Sequence, residues 1–105
     1  MDFNCVQPIV YLSSYHAEER IVDRTGCSRM EAPQKVVEIA ESAQLFLEFG
    51  PYRYLRSADG NLFLPCILDK YSNNNYTYKV RSVLRWEMVK DRLQRVVDKY
   101  ASLPA

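Results

Sequence analysis

Glycine is scarce in this chain, with three residues in 105, and histidine scarcer still, with one. So few glycines leave no Gly-rich loop of the kind whose backbone amides cradle phosphates. The lone histidine, His16, and three cysteines without a C-x-x-C pair (Cys5, Cys27 and Cys66) lack the spacing and donor set of a zinc site. No metal site and no cofactor are therefore expected. An odd cysteine count also argues against a disulfide framework, and reduced, mostly buried thiols are the expectation. Long apolar runs are missing, so no membrane span is expected. The opening MDFNCVQPIVYL has neither a basic n-region nor a small-residue cleavage site. A cytoplasmic setting follows as the expectation, and in it the sequon Asn75-Tyr76-Thr77 carries no meaning.

What is present is an ordinary globular mixture. Hydrophobic residues make up 48% and charged residues 26%, enough for one buried core, and a single domain over residues 1–105 is expected. The net charge of +1 hides an asymmetry: four basic against eight acidic groups in residues 1–50, ten against five in 51–105. Such a division marks either a binding face of one sign or two halves that attract each other in the fold.

Periodicity divides the chain into elements. CVQPIVYL is β-branched and aromatic and reads as a strand, with Pro8 at its start or edge. SYHAEERIVDR reads as a short helix, capped by Ser13 or Ser14 and stopped by Gly26. In PQKVVEIAESAQLFLEF, residues 33–49, apolar positions recur at spacings of three and four, which predicts a helix ended by Gly50-Pro51. YRYLRS and LFLPCIL alternate on either side of Asp59-Gly60, a tight-turn signal. Pro65 places its strand at an edge or a bulge. YTYKVRS alternates again. Trp86, Val89, Leu93, Val96 and Tyr100 form a helical stripe, with Ser82 as a cap and Asp91 and Arg95 able to pair. The pattern is α+β: a small antiparallel sheet of three to four strands with two longer helices packed on one face.

The segment ERIVDRTGCSRMEAPQKV, residues 19–36, has the look of a helix-turn-helix up to Arg29. Aligning Gly26 with the turn glycine starts a second helix near Ser28, and Ser28 with Glu31 would form a capping box. Pro33 would then lie inside that helix, removing a bond to the Arg29 carbonyl and colliding with it, at a cost of about 3 kcal/mol. Placing Pro33 in the first turn of a new helix loses no bond. That makes the turn longer than the motif allows. The acids around it, Glu18, Glu19, Asp23 and Glu31, also oppose phosphate binding.

The aromatic-basic strands remain. Tyr52, Arg53, Tyr54 and Arg56, with Tyr76, Tyr78, Lys79 and Arg81, combine rings with cations. Tyr and Arg are the residues protein interfaces favour, because they give large area, a polar handle and bidentate donors. The same set suits single-stranded nucleic acid, by stacking and phosphate contact, and the hairpin 52–68 suits the wing of a winged helix. The structural alternative is a tyrosine row packed under the helices. His16 and Cys27 stand without an orienting partner at a readable spacing, so no catalytic set is expected. The expectation is a non-catalytic binding or regulatory protein (an adaptor, inhibitor or immunity-type partner) that presents the Tyr/Arg-rich sheet face and the acidic helix 33–49 to a protein, with nucleic-acid binding as the alternative. The sequence leaves the oligomeric state open.

Overall fold

Strand signals in the middle of the chain pair as their turns dictate. The computed structural model describes residues 8–73 and 76–101. In chain order the elements are β1 Val10–Leu12, α1 Tyr15–Thr25, α2 Ala32–Ser42, β2 Gln44–Phe49, β3 Tyr52–Arg56, β4 Leu62–Leu68, β5 Thr77–Val80, β6 Leu84–Arg85 and α3 Trp86–Ala101. The strands form one six-stranded sheet in the order β1-β5-β4-β3-β2, with β6 also on β4. The β1–β5 pair is parallel and the others antiparallel. The α+β reading holds, but among the described residues the sheet is larger than three to four strands and mixed, and the helices number three. The part of the predicted first strand at Cys5 to Gln7 lies outside the described residues, as do Asn75 of the sequon and residues 102–105.

α1 starts and stops where its residues require. The Ser14 hydroxyl accepts from the Ala17 N–H, and Gly26 closes the helix at φ 73°, in the left-handed region. Pro33 lies in the first turn of α2, where it loses no bond. Residues 27–31 connect the helices, with the Glu31 N–H donating to the Ser28 carbonyl and hydroxyl oxygens. No helix runs through Arg29, and the connection is longer than a helix-turn-helix corner.

The predicted helix 33–49 needs correction. It ends at Ser42, whose hydroxyl bonds back to the carbonyls of Glu38 and Ile39, and Ala43 is already extended. QLFLEF becomes β2, because its aromatic and branched residues fit a sheet edge and pair with YRYLR across Gly50-Pro51. Gly50 is thus a hairpin residue at φ 54°, not a helix stop. The β2–β3 register slips between Leu45 and Leu47, a bulge in the terminal strand of the sheet.

Pro65 is not at an edge, since β4 pairs with β3 on one side and with β5 and β6 on the other. It falls in the gap between the β5 and β6 pairings. There its carbonyl accepts from the Arg81 N–H at 2.8 Å, and no strand faces its missing donor. The turn after β3 has a positive φ only at Gly60. Asp59 organises it instead: the Ser57 hydroxyl and the Asn61 N–H both donate to its carboxylate, and these bonds hold it below the usual carboxylate range. Ser82 does not cap α3, because β6 intervenes. Arg95 reaches the Asp91 backbone carbonyl at 3.4 Å rather than its carboxylate.

The helices lie on both faces of the sheet, not on one. Register places Leu55, Leu64, Cys66 and Val80 on one face, where they pack with Ile21, Val36 and Ala40 of α1 and α2 to form the core. The opposite face takes α3, through Trp86 against Phe46 and Phe63. The charge division follows this layering. α1 and α2 come from the acidic half, whereas four of the strands and α3 come from the basic half. The Arg53–Glu48 ion pair links the halves; Arg20–Asp23 and Lys90–Glu87 each lie within one.

Candidate binding face

Alternation along β3 separates the sequence-predicted residues at once. Tyr52, Tyr54 and Arg56 point to the face that α1 and α2 leave uncovered, with Ile67, Pro65 and Phe63 opposite them on β4. Across the hairpin, Phe49 and Leu47 pair with Tyr52 and Tyr54 on the same face. Lys79 joins them, opposite Ile67. Arg81 follows one residue past β5 and lines a cleft with Tyr52 and Tyr54. Five of the eight predicted residues therefore share one face. Its described strand residues include no carboxylate.

Arg53 and Tyr78 point the other way. The Arg53 Nε donates to the Tyr11 hydroxyl at 2.8 Å, its guanidinium lies over the Tyr78 ring, and its Nη1 pairs with Glu48. Burial raises the Tyr11 hydroxyl above its ordinary range despite the neighbouring cation. These residues brace β1, β5, β3 and β2 on the helix side. Tyr76 directly precedes β5 and is 42% exposed.

The open face has an aromatic spine. The rings of Phe49, Tyr52, Tyr54 and Phe63 follow one another at centroid distances of 5.4 to 6.2 Å. Trp86 continues it, and Arg56 covers the indole. Tyr52 and Tyr54 are half-buried, so each offers part of a ring to a ligand. Between this spine and α3 runs a groove of about 310 Å³, lined by Leu47, Tyr54, Phe63 and Pro65 from the sheet and by Val89, Leu93 and Val96 from the helix. Arg92 stands on its rim. The helical stripe read from the sequence thus faces the sheet but does not fill the space above it. Leu47 and Phe49 fall inside the helix that the sequence predicts over 33–49, so sequence reasoning does not place them on this face. The alternation of β2 carried that signal.

His16 is exposed at the start of α1 and lines the cleft near Arg81. Cys27 is half-exposed, and Cys66 is fully buried beneath the helices with its thiol pushed up to about 12 by burial. The described residues contain no group of three or more His, Cys, Asp or Glu that could hold a metal ion, and no helix long and apolar enough to cross a membrane. No protein-family model matches the chain, and no curated protein or solved structure matches it.

Proposed function

We propose that the protein is a non-catalytic binding module that engages a protein partner through the open face of its sheet and the groove beneath α3. The unfilled groove carries this reading. An apolar channel of about 310 Å³ between half-buried Leu93, Val96 and Tyr54 is a costly surface to leave wet, and its aromatic wall is what interface centres favour. Arg92 gives that apolar centre a cationic margin, and Lys79 and Arg81 lie farther along the same face. A photo-crosslinking residue at Leu93 tests it in extracts of the native cell. A discrete adduct is expected from Leu93, none from the same probe at exposed Glu38 of α2, and a reduced yield after Tyr54→Ala. Equal labelling from both positions, or none from Leu93, removes the reading.

Nucleic-acid binding is the second reading. Arg56, Lys79 and Arg81 beside Tyr52 and Tyr54, on strands without a carboxylate, favour it. It ranks lower because Arg56 is already engaged with Trp86 and Gly60, and α3 stands across one side of the platform. Steeply salt-dependent shifts of single-stranded probes would promote it, and flat titrations at low salt would end it.

A further inference from the structure

At the end of the open face nearest α1 is a second recess, about 260 Å³, whose lining includes His16, Tyr52, Tyr54, Arg81 and Ser82, with Pro65 and Cys66 of β4 behind them. We propose that this cleft is an oxyanion subsite, which takes a carboxylate or phosphate group carried beside an apolar or aromatic moiety. The proposal deepens the binding reading by giving the chemistry of the ligand at this end of the same face. The cleft can also be tested on its own with small probes.

The lining donates far more than it accepts. Arg81 is exposed and forms no ion pair with a described carboxylate, and no described carboxylate lines the cleft. Its backbone is fixed on two sides. The Arg81 N–H donates to the Pro65 carbonyl at 2.8 Å, and the Ser14 hydroxyl donates to the Val80 carbonyl at 2.6 Å just before it. The cation is therefore mounted on the junction of β4, β5 and α1, with only its side chain left to order on binding.

Ser82 supplies the independent observation. Its hydroxyl oxygen is shut off from solvent and has no hydrogen-bond partner. A buried hydroxyl left in that state costs about 1–3 kcal/mol, which a ligand oxygen within its reach would offset. α1 adds to the field. Its cap is spent on the Ala17 N–H, so the first-turn amides of Tyr15 and His16 lie at the positive end of an 11-residue helix. The carboxylate of Glu18, in the same turn, accepts from the Ser13 hydroxyl and does not line the cleft. Tyr52 and Tyr54 line the same cleft as Arg81, which sets the preference for a ring or aliphatic group beside the charge. At about 30 Å³ per water, the volume suits an aryl phosphate or an aromatic acid rather than a bare ion alone.

The test is an amide NMR titration of the full chain at constant ionic strength, with inorganic phosphate, phenyl phosphate, benzoate and, as reference, chloride. Saturable shifts at His16, Arg81 and Ser82 are expected, with dissociation constants on the order of 1 mM. Phenyl phosphate should bind at least about threefold tighter than phosphate, and comparison with benzoate distinguishes a phosphate from a carboxylate preference. Arg81→Ala should weaken binding about tenfold, whereas Lys35→Gln on α2 should change nothing. Ser82→Ala should weaken binding without lowering the melting temperature, since it removes a hydroxyl that has no partner. Uniform shifts that follow chloride, or unchanged affinity in Arg81→Ala, overturn the site. Equal affinities for phosphate and phenyl phosphate overturn the aromatic wall. A failed cross-link at Leu93 with intact phosphate binding would remove the groove and leave the cleft; the opposite pair of results would do the reverse.

Discussion

Arg56 lies over the indole of Trp86, its guanidinium carbon 4.0 Å from the ring centroid, while its Nε donates to the Gly60 carbonyl at 3.0 Å. One side chain thereby joins the β3–β4 turn to the first residue of α3. The apolar stem and the flat cation are both used, which lysine cannot reproduce.

Arg56→Ala is expected to destabilise the protein by about 1–2 kcal/mol, combining the lost ring contact with the lost bond. Arg56→Lys should recover only part of this. In a double-mutant cycle with Trp86→Leu, urea denaturation should give a coupling energy of about 1 kcal/mol. Additive losses would show that the stacked pair contributes nothing beyond its two members.

Ser14 has two tasks. Its hydroxyl oxygen accepts from the Ala17 N–H at 3.1 Å, and its proton goes to the Val80 carbonyl at 2.6 Å. It both starts α1 and ties that helix to β5. Ser14→Ala should cost about 1–2 kcal/mol, at the upper end for a cap because a tertiary bond goes with it. Faster hydrogen exchange at the amides of Ala17 and Glu18 should accompany the loss. A change within about 0.5 kcal/mol would place this serine with ordinary surface positions.

Cys66 makes the stability fall with alkali. Burial pushes its thiol from the ordinary 9.0 up to about 12, and Tyr11 is raised by burial as well. Above about pH 9 the unfolded chain gives up the thiol proton and the folded chain keeps it. The unfolded state then binds fewer protons, so stability present below pH 9 is lost progressively as pH rises toward 12. Cys66→Ala should flatten the decline between pH 9 and 11 in denaturant midpoints. At pH 8 the folded thiol carries on the order of a thousandfold less thiolate than an ordinary one, so mapping of thiol-reagent adducts should find Cys66 protected until the chain unfolds.

Local signals in the sequence located most elements but not their neighbours. Ser14, Gly26 and Pro33 set the ends of the first two helices because each acts through its own backbone geometry. The periodicity predicts a helix where β2 lies, since Phe46 and Leu47 continue a helical period by chance and only pairing with β3 decides otherwise. The parallel contact between β1 and β5 joins segments more than sixty residues apart, and no short-range pattern encodes it. At the candidate face, the tyrosines of β3 were legible, while the opposite orientation of Tyr78 was not. Each strand alternates, but the phase between strands is fixed by register. His16 and Ser82 reach the cleft through the meeting of α1 with the end of β5, which is a tertiary event.

The slip between Leu45 and Leu47 matters to the molecule in a crowd. QLFLEF has the composition of a fibril-forming segment, and it occupies the rim of the sheet. An uninterrupted ribbon there would invite other copies to stack onto it without limit. The extra residue throws the side chains of its two halves out of phase, so a neighbouring ribbon that matches one half clashes with the other. A single irregular step makes this rim a poor template for further copies of the chain.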